Sequence, residues 1–221
     1  MWLGALVPAV LALMAVFTVD APAARAQLLD VWPGAVVTLI DHVEVFGDGL
    51  GVLLILAAVY CLDPTRRRRL PRLMVCCYGA GIAANIVKAI VGRHRPFQWL
   101  NEVTEPGAIP WDGTWLPLGT NGTAWQSFPS GHTATAVGLA LGLTKLYPQG
   151  GRFFATLAAV VAVQRVMTDM HFVSDVLAAA SLAWLTTAAL YGRGPIARRF
   201  DQFEAAKLSH APDDISKKLA A

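Results

Sequence analysis

Three short clusters of polar residues have the side-chain types that phosphoryl transfer requires. Their members are Lys88 and Arg95, then Ser130, Gly131 and His132, then Arg165, His171 and Asp175. The two arginines and the lysine supply positive charge for a doubly charged phosphate. A serine hydroxyl and a glycine amide at the start of a helix add neutral donors. One imidazole can attack phosphorus while the other protonates the leaving oxygen, so the clusters predict a site of phosphoryl transfer.

The spacing within the first two clusters indicates how helices position them. Lys88 and Arg95 are seven residues apart, which is two helical turns, so we expect them on one face of a helix that Pro96 ends. The sequence Pro-Ser-Gly-His at residues 129–132 opens another apolar segment. Its free backbone N–H groups and the positive end of the helix dipole then face an incoming anion.

The composition is that of a membrane protein with several spans. The chain has 221 residues, of which 55% are hydrophobic and only 15% are charged, against about a quarter in soluble domains. Its mean hydropathy is +0.49. These values exclude a disordered chain, a nucleic-acid-binding module and most soluble enzymes. No internal repeat is evident, and we expect one all-α domain over residues 1–221.

Six apolar segments approach the length of about 20 residues that a membrane-spanning helix needs. They are Met1–Val19, Gly47–Leu62, Leu73–Val91, His132–Tyr147, Phe153–Thr168 and Val176–Tyr191. Glycine and alanine recur in them and allow close helix packing. The sequence therefore predicts a bundle of six transmembrane helices, with the catalytic motifs in residues 88–175 and a tail in residues 200–221.

The first segment has two interpretations. Ala24-Arg25-Ala26 resembles a signal-peptidase site, and cleavage there would leave a chain that begins at Gln27. No Lys or Arg precedes the apolar run, however, so a retained helix over residues 1–19 is favoured. Residues 28–45 are too polar to span and are expected to lie along the membrane interface.

Basic residues predict the orientation of the bundle. They cluster in loops that fall on one side of the membrane, at Arg66–Arg69, Arg72, Lys145, Arg152, Arg193, Arg198, Arg199, Lys207, Lys217 and Lys218. This side is expected to be cytoplasmic, together with both termini. The first motif cluster follows the third span, the second precedes the fourth, and the third joins the last two spans. All three then face the outer, periplasmic side, where His171 and Asp175 are close enough for the carboxylate to hold the imidazole if that turn is helical.

The three clusters together resemble the signature of the type-2 phosphatidic acid phosphatase superfamily. The matching pattern is Lys88-x6-Arg95-Pro96, Pro129-Ser130-Gly131-His132 and Arg165-x5-His171-x3-Asp175. That superfamily includes lipid phosphate phosphatases, glucose-6-phosphatase and vanadium haloperoxidases. One departure is Gln164, which stands where the family usually has serine and is expected to alter how Arg165 is held.

The resemblance implies a role for each matched residue. His171 would form a phosphohistidine with the help of Asp175, and His132 would act as general acid and then as general base. The phosphate ligands would be Lys88, Arg95, Ser130, the Gly131 amide and Arg165. No metal or other cofactor is implied. Arg93 and His94 lie inside the first motif but off its matched positions, and no catalytic role is expected for them.

The expected function is therefore that of a metal-independent lipid phosphatase of a bacterial inner membrane. Candidate substrates are undecaprenyl diphosphate, lipid A 1-phosphate, phosphatidylglycerol phosphate and phosphatidic acid. A lipid phosphotransferase, a haloperoxidase and a non-catalytic lipid-binding or transport protein are the alternatives. The aromatic loop of residues 97–128 is interpreted either as an interfacial belt or as a lid over a lipid-binding mouth. The expected partners are the lipid substrate and the bilayer, not nucleic acid, and the oligomeric state is left open.

Overall fold

The described part of the chain is mostly helical. The computed structural model describes residues 2–26, 32–102, 105, 107–111, 114–115 and 122–206. The helices of these residues are α1 (Trp2–Thr18), α2 (Asp20–Arg25), α3 (Gly34–Val43), α4 (Gly49–Leu62), α5 (Leu70–Ile90), α6 (Pro96–Glu102), α7 (Gly131–Leu146), α8 (Gly151–Met167), α9 (Val173–Tyr191) and α10 (Pro195–Ala206). Short 3-10 turns cover Glu44–Phe46, Pro64–Arg69, Thr123–Trp125 and Pro148–Gly150. Strands β1 (Val91–Gly92) and β2 (Thr114–Trp115) form one antiparallel pair.

A helix lies in each of the six predicted spans, but fewer of them meet the length and hydropathy of a full membrane crossing. By those criteria two described segments qualify, Pro64–Ile90 and Val173–Tyr191. A third is obtained if Gly34–Phe46 and Gly49–Leu62 form one span, bent by 64°. The all-helical prediction is thus confirmed, while six crossings stay a prediction.

Small residues bring the central helices together. α7 packs against α5, α8 and α9, while α1 packs along α9. Where α5, α7 and α9 meet, one cluster of buried hydrophobic residues consists of alanines, namely Ala80, Ala84, Ala134, Ala179 and Ala183. Alanine loses no side-chain entropy and allows backbones to approach closely, so the bundle is held by tight packing.

The path from α5 to α6 differs from the predicted one. α5 ends at Ile90, and Arg95 lies beyond it instead of two turns further along the same helix. The backbone after Ile90 is extended because it pairs with another segment. The amide of Arg93 donates to the carbonyl of Trp125 over 3.0 Å, and the amide of Arg95 donates to the carbonyl of Ala124 over 2.9 Å. Pro96 then begins α6 instead of ending a helix, as proline fits the first turn.

A second short helix follows the predicted N-terminal one. α2 follows α1 after Val19, so Asp20 is the first residue of a helix. The hydroxyl of Ser181 on α9 donates to the carbonyl of Ala5 over 2.7 Å, which fixes α1 against α9. Three sequence predictions concern residues outside the described ranges: the chain start at Gln27, the first part of the interfacial segment, and the tail beyond Ala206.

The contact between α5 and α7 predicts the effect of one methyl group. A Cβ at Gly138 would lie 2.6 Å from the carbonyl oxygen of Cys76, so Gly138→Ala forces the helices apart. We expect a loss of about 1–3 kcal/mol in stability, measured as a lower Tm of the detergent-purified protein. Gly79→Ala is the matched control because its Cβ would meet its nearest neighbours at an ordinary 3.7 Å. Equal Tm values for the two variants would contradict this account of the packing.

Candidate active site

Four helix ends meet at one end of the bundle and enclose a pocket of about 410 Å³. They are the C-terminal ends of α5 and α8 and the N-terminal ends of α4 and α7, and the turn before α9 adds His171. Six of the predicted site residues line this pocket: Lys88, Arg95, Gly131, His132, Arg165 and His171. Residues from three distant parts of the sequence are therefore brought together, as the motif pattern predicts.

Ser130 is buried at the N-terminal cap of α7, next to the pocket residues Gly131 and His132. Its hydroxyl oxygen accepts hydrogen bonds from the amide of Thr133, at 3.4 Å, and from the hydroxyl of Thr133, at 3.0 Å. Its own amide donates to the carbonyl of Asp175 over 3.2 Å. Ser130 thus joins the starts of α7 and α9, and a contact between its hydroxyl and phosphate stays a prediction.

His171 is buried and presents one ring nitrogen to the pocket. Its Nδ1 is 3.7 Å from Oδ2 of Asp175, which is an ion-pair distance and longer than a hydrogen bond. With Nδ1 on the Asp175 side, Nε2 is the nitrogen left to face the pocket. Burial lowers the pKa of His171 to about 4, although Asp175 opposes the shift. The imidazole is therefore neutral at neutral pH, as nucleophilic attack requires.

Asp175 is held by other partners. Its Oδ2 accepts hydrogen bonds from the hydroxyl of Ser127, at 2.5 Å, and from the amide of Phe172, at 2.9 Å. Its Oδ1 pairs with the guanidinium of Arg93. The carboxylate is fully buried, and these three donors fix its direction in the first turn of α9.

Arg93 is the residue that the sequence interpretation missed. Its guanidinium is 1% exposed and donates to the Asp20 carboxylate, at 2.8 Å, and to the Ser174 hydroxyl, at 2.7 Å, besides Asp175. It also donates to the carbonyl of Pro110 over 2.9 and 2.7 Å. The partners lie up to 82 positions away in sequence, so spacing within the motif gave no indication of them.

Asp20 is the second missed residue, and it connects the N-terminal helix to the site. Besides pairing with Arg93, it accepts hydrogen bonds from the amide of Ser174, at 2.9 Å, and from its hydroxyl, at 2.5 Å. It thereby caps the start of α9 from another part of the chain. One signal was present in the sequence, since an aspartate at the end of an apolar segment needs a positively charged partner.

Part of the aromatic loop shields this buried cluster. The guanidinium carbon of Arg93 lies 4.9 Å from the ring centre of Trp111 and 4.2 Å from that of Phe172. Trp111 in turn packs edge-on against Phe128, with ring centres 5.2 Å apart. These rings exclude water from the ion pairs, which strengthens them. The alternatives of belt and lid for the rest of the loop stay open.

Glu44 is an acidic residue at the mouth of the site that the sequence interpretation also missed. Its carboxylate pairs with the guanidinium of Arg165, and its Oε1 lies 3.3 Å from Nε2 of His132. Gln164 donates to Glu44 over 3.1 Å and to Asp41 over 3.1 Å. Gln164, the departure from the family pattern, thus bears on how Arg165 is held, because both residues bind Glu44.

The two pocket arginines have unused donors. Nε of Arg95 and Nε of Arg165 are buried and have no hydrogen-bond partner in the structure. A buried donor without an acceptor costs about 1–3 kcal/mol, which an anion at this place would recover. Burial, followed by the positive charge of Arg165, lowers the pKa of Arg95. Among the described residues, no group of three or more His, Cys, Asp or Glu side chains is arranged to hold a metal ion.

Comparisons with known proteins agree with the geometry. Residues 70–197 match the family model of the PAP2 superfamily. The chain is 30% identical over 193 residues to a lipid A 1-phosphatase of Rhizobium etli, covering 79% of this chain and 78% of the relative. It is also 30% identical over 148 residues to a lipid A 1-phosphatase of Rhizobium johnstonii, covering 62% of this chain and 57% of that protein.

A solved structure shares the fold. It is a transmembrane PAP2-type phosphatidylglycerolphosphate phosphatase from Bacillus subtilis, superposed with a TM-score of 0.55 at 16% identity. The likeness covers 88% of this chain and 98% of that one. At this identity it supports the helical arrangement only.

The buried cluster predicts a large loss of stability in Arg93→Met. Two carboxylates, Asp20 and Asp175, would stay buried without their cation, which costs about 3–5 kcal/mol. We expect a marked drop in the Tm of the purified protein and a smaller drop in the double variant Asp20→Asn/Arg93→Met, where one charge is also removed. Arg67→Met, at an exposed arginine, is the control. If Arg93→Met is as stable as Arg67→Met, this role of Arg93 is contradicted.

The burial of His171 predicts a pH dependence of stability. Because its pKa is about 4 in the folded protein and higher when exposed to water, the unfolded chain binds its proton first as the pH falls. Stability contributed by the neutral imidazole is therefore lost between about pH 6.5 and pH 4. We expect Tm to fall less over this interval in His171→Gln than in the unmodified protein. His42→Gln, at an exposed histidine, should retain the full fall.

Proposed function

The chain belongs to the PAP2 superfamily, and on that premise we propose that it is an integral-membrane phosphatase that hydrolyses a lipid phosphate. The convergence of Lys88, Arg95, Arg165, His132 and His171 on one pocket is the observation that supports the proposal. Three cations balance the charge of a phosphate, and two imidazoles supply a nucleophile and a proton carrier.

In the proposed first step, Nε2 of His171 attacks phosphorus and the bond to the lipid oxygen breaks. Arg95, Arg165 and Lys88 bind the phosphoryl oxygens and stabilise their charge as the transition state forms. His132 gives a proton to the departing oxygen, so the lipid leaves as a neutral alcohol. The product of this step is a phosphohistidine at His171.

In the second step, water replaces the lipid alcohol. His132, now neutral, takes a proton from the water, and the resulting hydroxide attacks phosphorus as the bond to Nε2 breaks. Inorganic phosphate leaves, and both histidines return to their starting state. Asp175 keeps Nδ1 of His171 on its own side throughout, since Arg93, Ser127 and Phe172 prevent its carboxylate from turning.

The basic residues support an orientation with the pocket on the outer side of a bacterial inner membrane. The Arg66–Arg69 cluster precedes α5, while Lys88 lies near the other end of that helix, so the cluster and the pocket are at opposite ends. Basic loops favour the cytoplasmic side. In this arrangement both termini are cytoplasmic, and α1 belongs to the working enzyme because Asp20 completes the cluster around Arg93.

Lipid A 1-phosphate is the first candidate substrate. Two sequence relatives are named for that activity, at 30% identity. Phosphatidylglycerol phosphate, phosphatidic acid and undecaprenyl diphosphate are further candidates for the same pocket. They share a phosphate group at the membrane surface and an apolar chain that stays in the bilayer.

The test is phosphate release by the detergent-purified full chain from these four lipids in the presence of EDTA. We expect release from at least one lipid. It should fall by more than about a thousandfold in His171→Ala and by about 10²–10⁴ in His132→Ala. Acid-labile, base-stable labelling of the chain by radioactive substrate would identify the phosphohistidine.

Two outcomes would contradict the proposal. Full activity of folded His171→Ala protein would exclude that residue as nucleophile. Transfer of phosphate to an added alcohol, with none released to water, would instead indicate a phosphotransferase. Arg67→Met serves as the control for purification and folding in both assays, since Arg67 lies at the opposite end of the bundle.

A further inference from the structure

We propose that Glu44 and Asp48 make the site selective for phosphate monoesters over diphosphates by placing negative charge beside the leaving group. The inference rests on the proposed function, because it assigns a substrate class to the same pocket. Neither residue belongs to the three motifs. Both come from the segment between α3 and the start of α4.

Glu44 lies on the side of the pocket from which the leaving group departs. Its Oε1 is 3.3 Å from Nε2 of His132, the group assigned to protonate the leaving oxygen. The nucleophile and the leaving oxygen stand roughly in line at phosphorus, so His171 attacks from the opposite side. The carboxylate of Glu44 is therefore next to the leaving group.

The position of this carboxylate is fixed by its neighbours. Arg165 pairs with Oε1, and Gln164 donates a 3.1 Å hydrogen bond to Oε2. Gln164 is itself buried, and the same amide nitrogen also donates to Oδ1 of Asp41. A side chain held by two partners has already lost its rotational freedom, and moving it away from a bound substrate requires breaking both contacts.

Asp48 places a second carboxylate at the rim of the same pocket. It is the N-terminal cap of α4, where its Oδ1 accepts hydrogen bonds from the amides of Leu50, at 2.9 Å, and Gly51, at 3.2 Å. These two backbone donors hold the Asp48 carboxylate in a fixed direction.

The two substrate classes differ in charge at this place. A monoester releases an alkoxide, which His132 converts to a neutral alcohol. A diphosphate releases a phosphate monoester that carries one or two negative charges into the neighbourhood of Glu44 and Asp48. Lys88, Arg95 and Arg165 attract the transferred phosphoryl group equally in both classes. The two carboxylates therefore discriminate against the diphosphate.

The test compares farnesyl phosphate with farnesyl diphosphate, which share one lipid chain. For the full-length detergent-purified protein we expect a higher kcat/KM with the monoester. Glu44→Gln and Asp48→Asn should each lower the ratio of monoester to diphosphate kcat/KM by about tenfold, the effect of one partly screened charge at a few ångströms. The double variant should lower it further.

The ratio is the readout because Glu44 also contacts Arg165 and His132, and its replacement changes the rate with both substrates. Asp48 is held by backbone amides of α4 and acts on His132 only through its charge, so the effect of Asp48→Asn is also judged by the ratio and not by either rate alone. Raising the salt concentration from about 50 to about 500 mM should reduce the ratio in the unmodified protein and have little effect on it in the double variant. Asp63→Asn, a partly exposed aspartate beside the distant Arg66, is the matched control and should leave the ratio unchanged.

The outcomes separate this inference from the proposed function. If the unmodified protein hydrolyses both substrates and neither carboxylate variant changes the ratio, the charge-selection proposal is wrong and the phosphatase assignment stands. If the unmodified protein prefers the diphosphate, the charge-selection proposal is also wrong and the phosphatase assignment also stands. If neither farnesyl substrate nor any of the four lipids releases phosphate, the proposed function itself fails.

Discussion

The buried guanidinium of Arg93 is the contact on which the rest of the site depends. A charge that is 1% exposed is tolerated only when it is paired and its donors are satisfied, and Asp20, Asp175 and Pro110 provide the acceptors. Through these contacts one side chain ties the N-terminal helical layer, the aromatic loop and the start of α9 together. The direction of the Asp175 carboxylate, and with it the setting of His171, follows from this arrangement.

Each of the two pocket imidazoles has a carboxylate within ion-pair distance, and the two carboxylates differ in their surroundings. Asp175, 3.7 Å from His171, is buried and neutralised by Arg93. Glu44, 3.3 Å from His132, is partly exposed and shares Arg165 with the pocket. In the proposed mechanism the first carboxylate orients the nucleophile, whereas the second lies beside the leaving group and can influence which leaving group is accepted.

The agreement between sequence and structure is uneven for physical reasons. The pocket was predictable because lysine, arginine and histidine at the ends of apolar segments have few alternatives to a shared polar site. The path of the chain between these residues was not predictable in the same way. Helical spacing placed Lys88 and Arg95 on one helix, whereas an extended turn separates them in the structure. Lys88 and Arg95 do line the same pocket, as predicted, but not because they share a helix face. The amides of Arg93 and Arg95 bond to residues near Trp125, and that pairing is invisible to local periodicity.

The sequence by itself determined the type of chemistry and the helical class. Hydropathy specifies the helices, and the three motif clusters carry the residues to which we assign phosphate binding and transfer. Only the tertiary structure decided which acidic residues accompany them. Asp20 reaches Arg93 across 73 positions and Glu44 reaches Arg165 across 121, so no spacing rule could identify either pair. Such pairs arise because helix packing leaves particular charges without water, and the fold must then bring a counter-charge from wherever the chain passes.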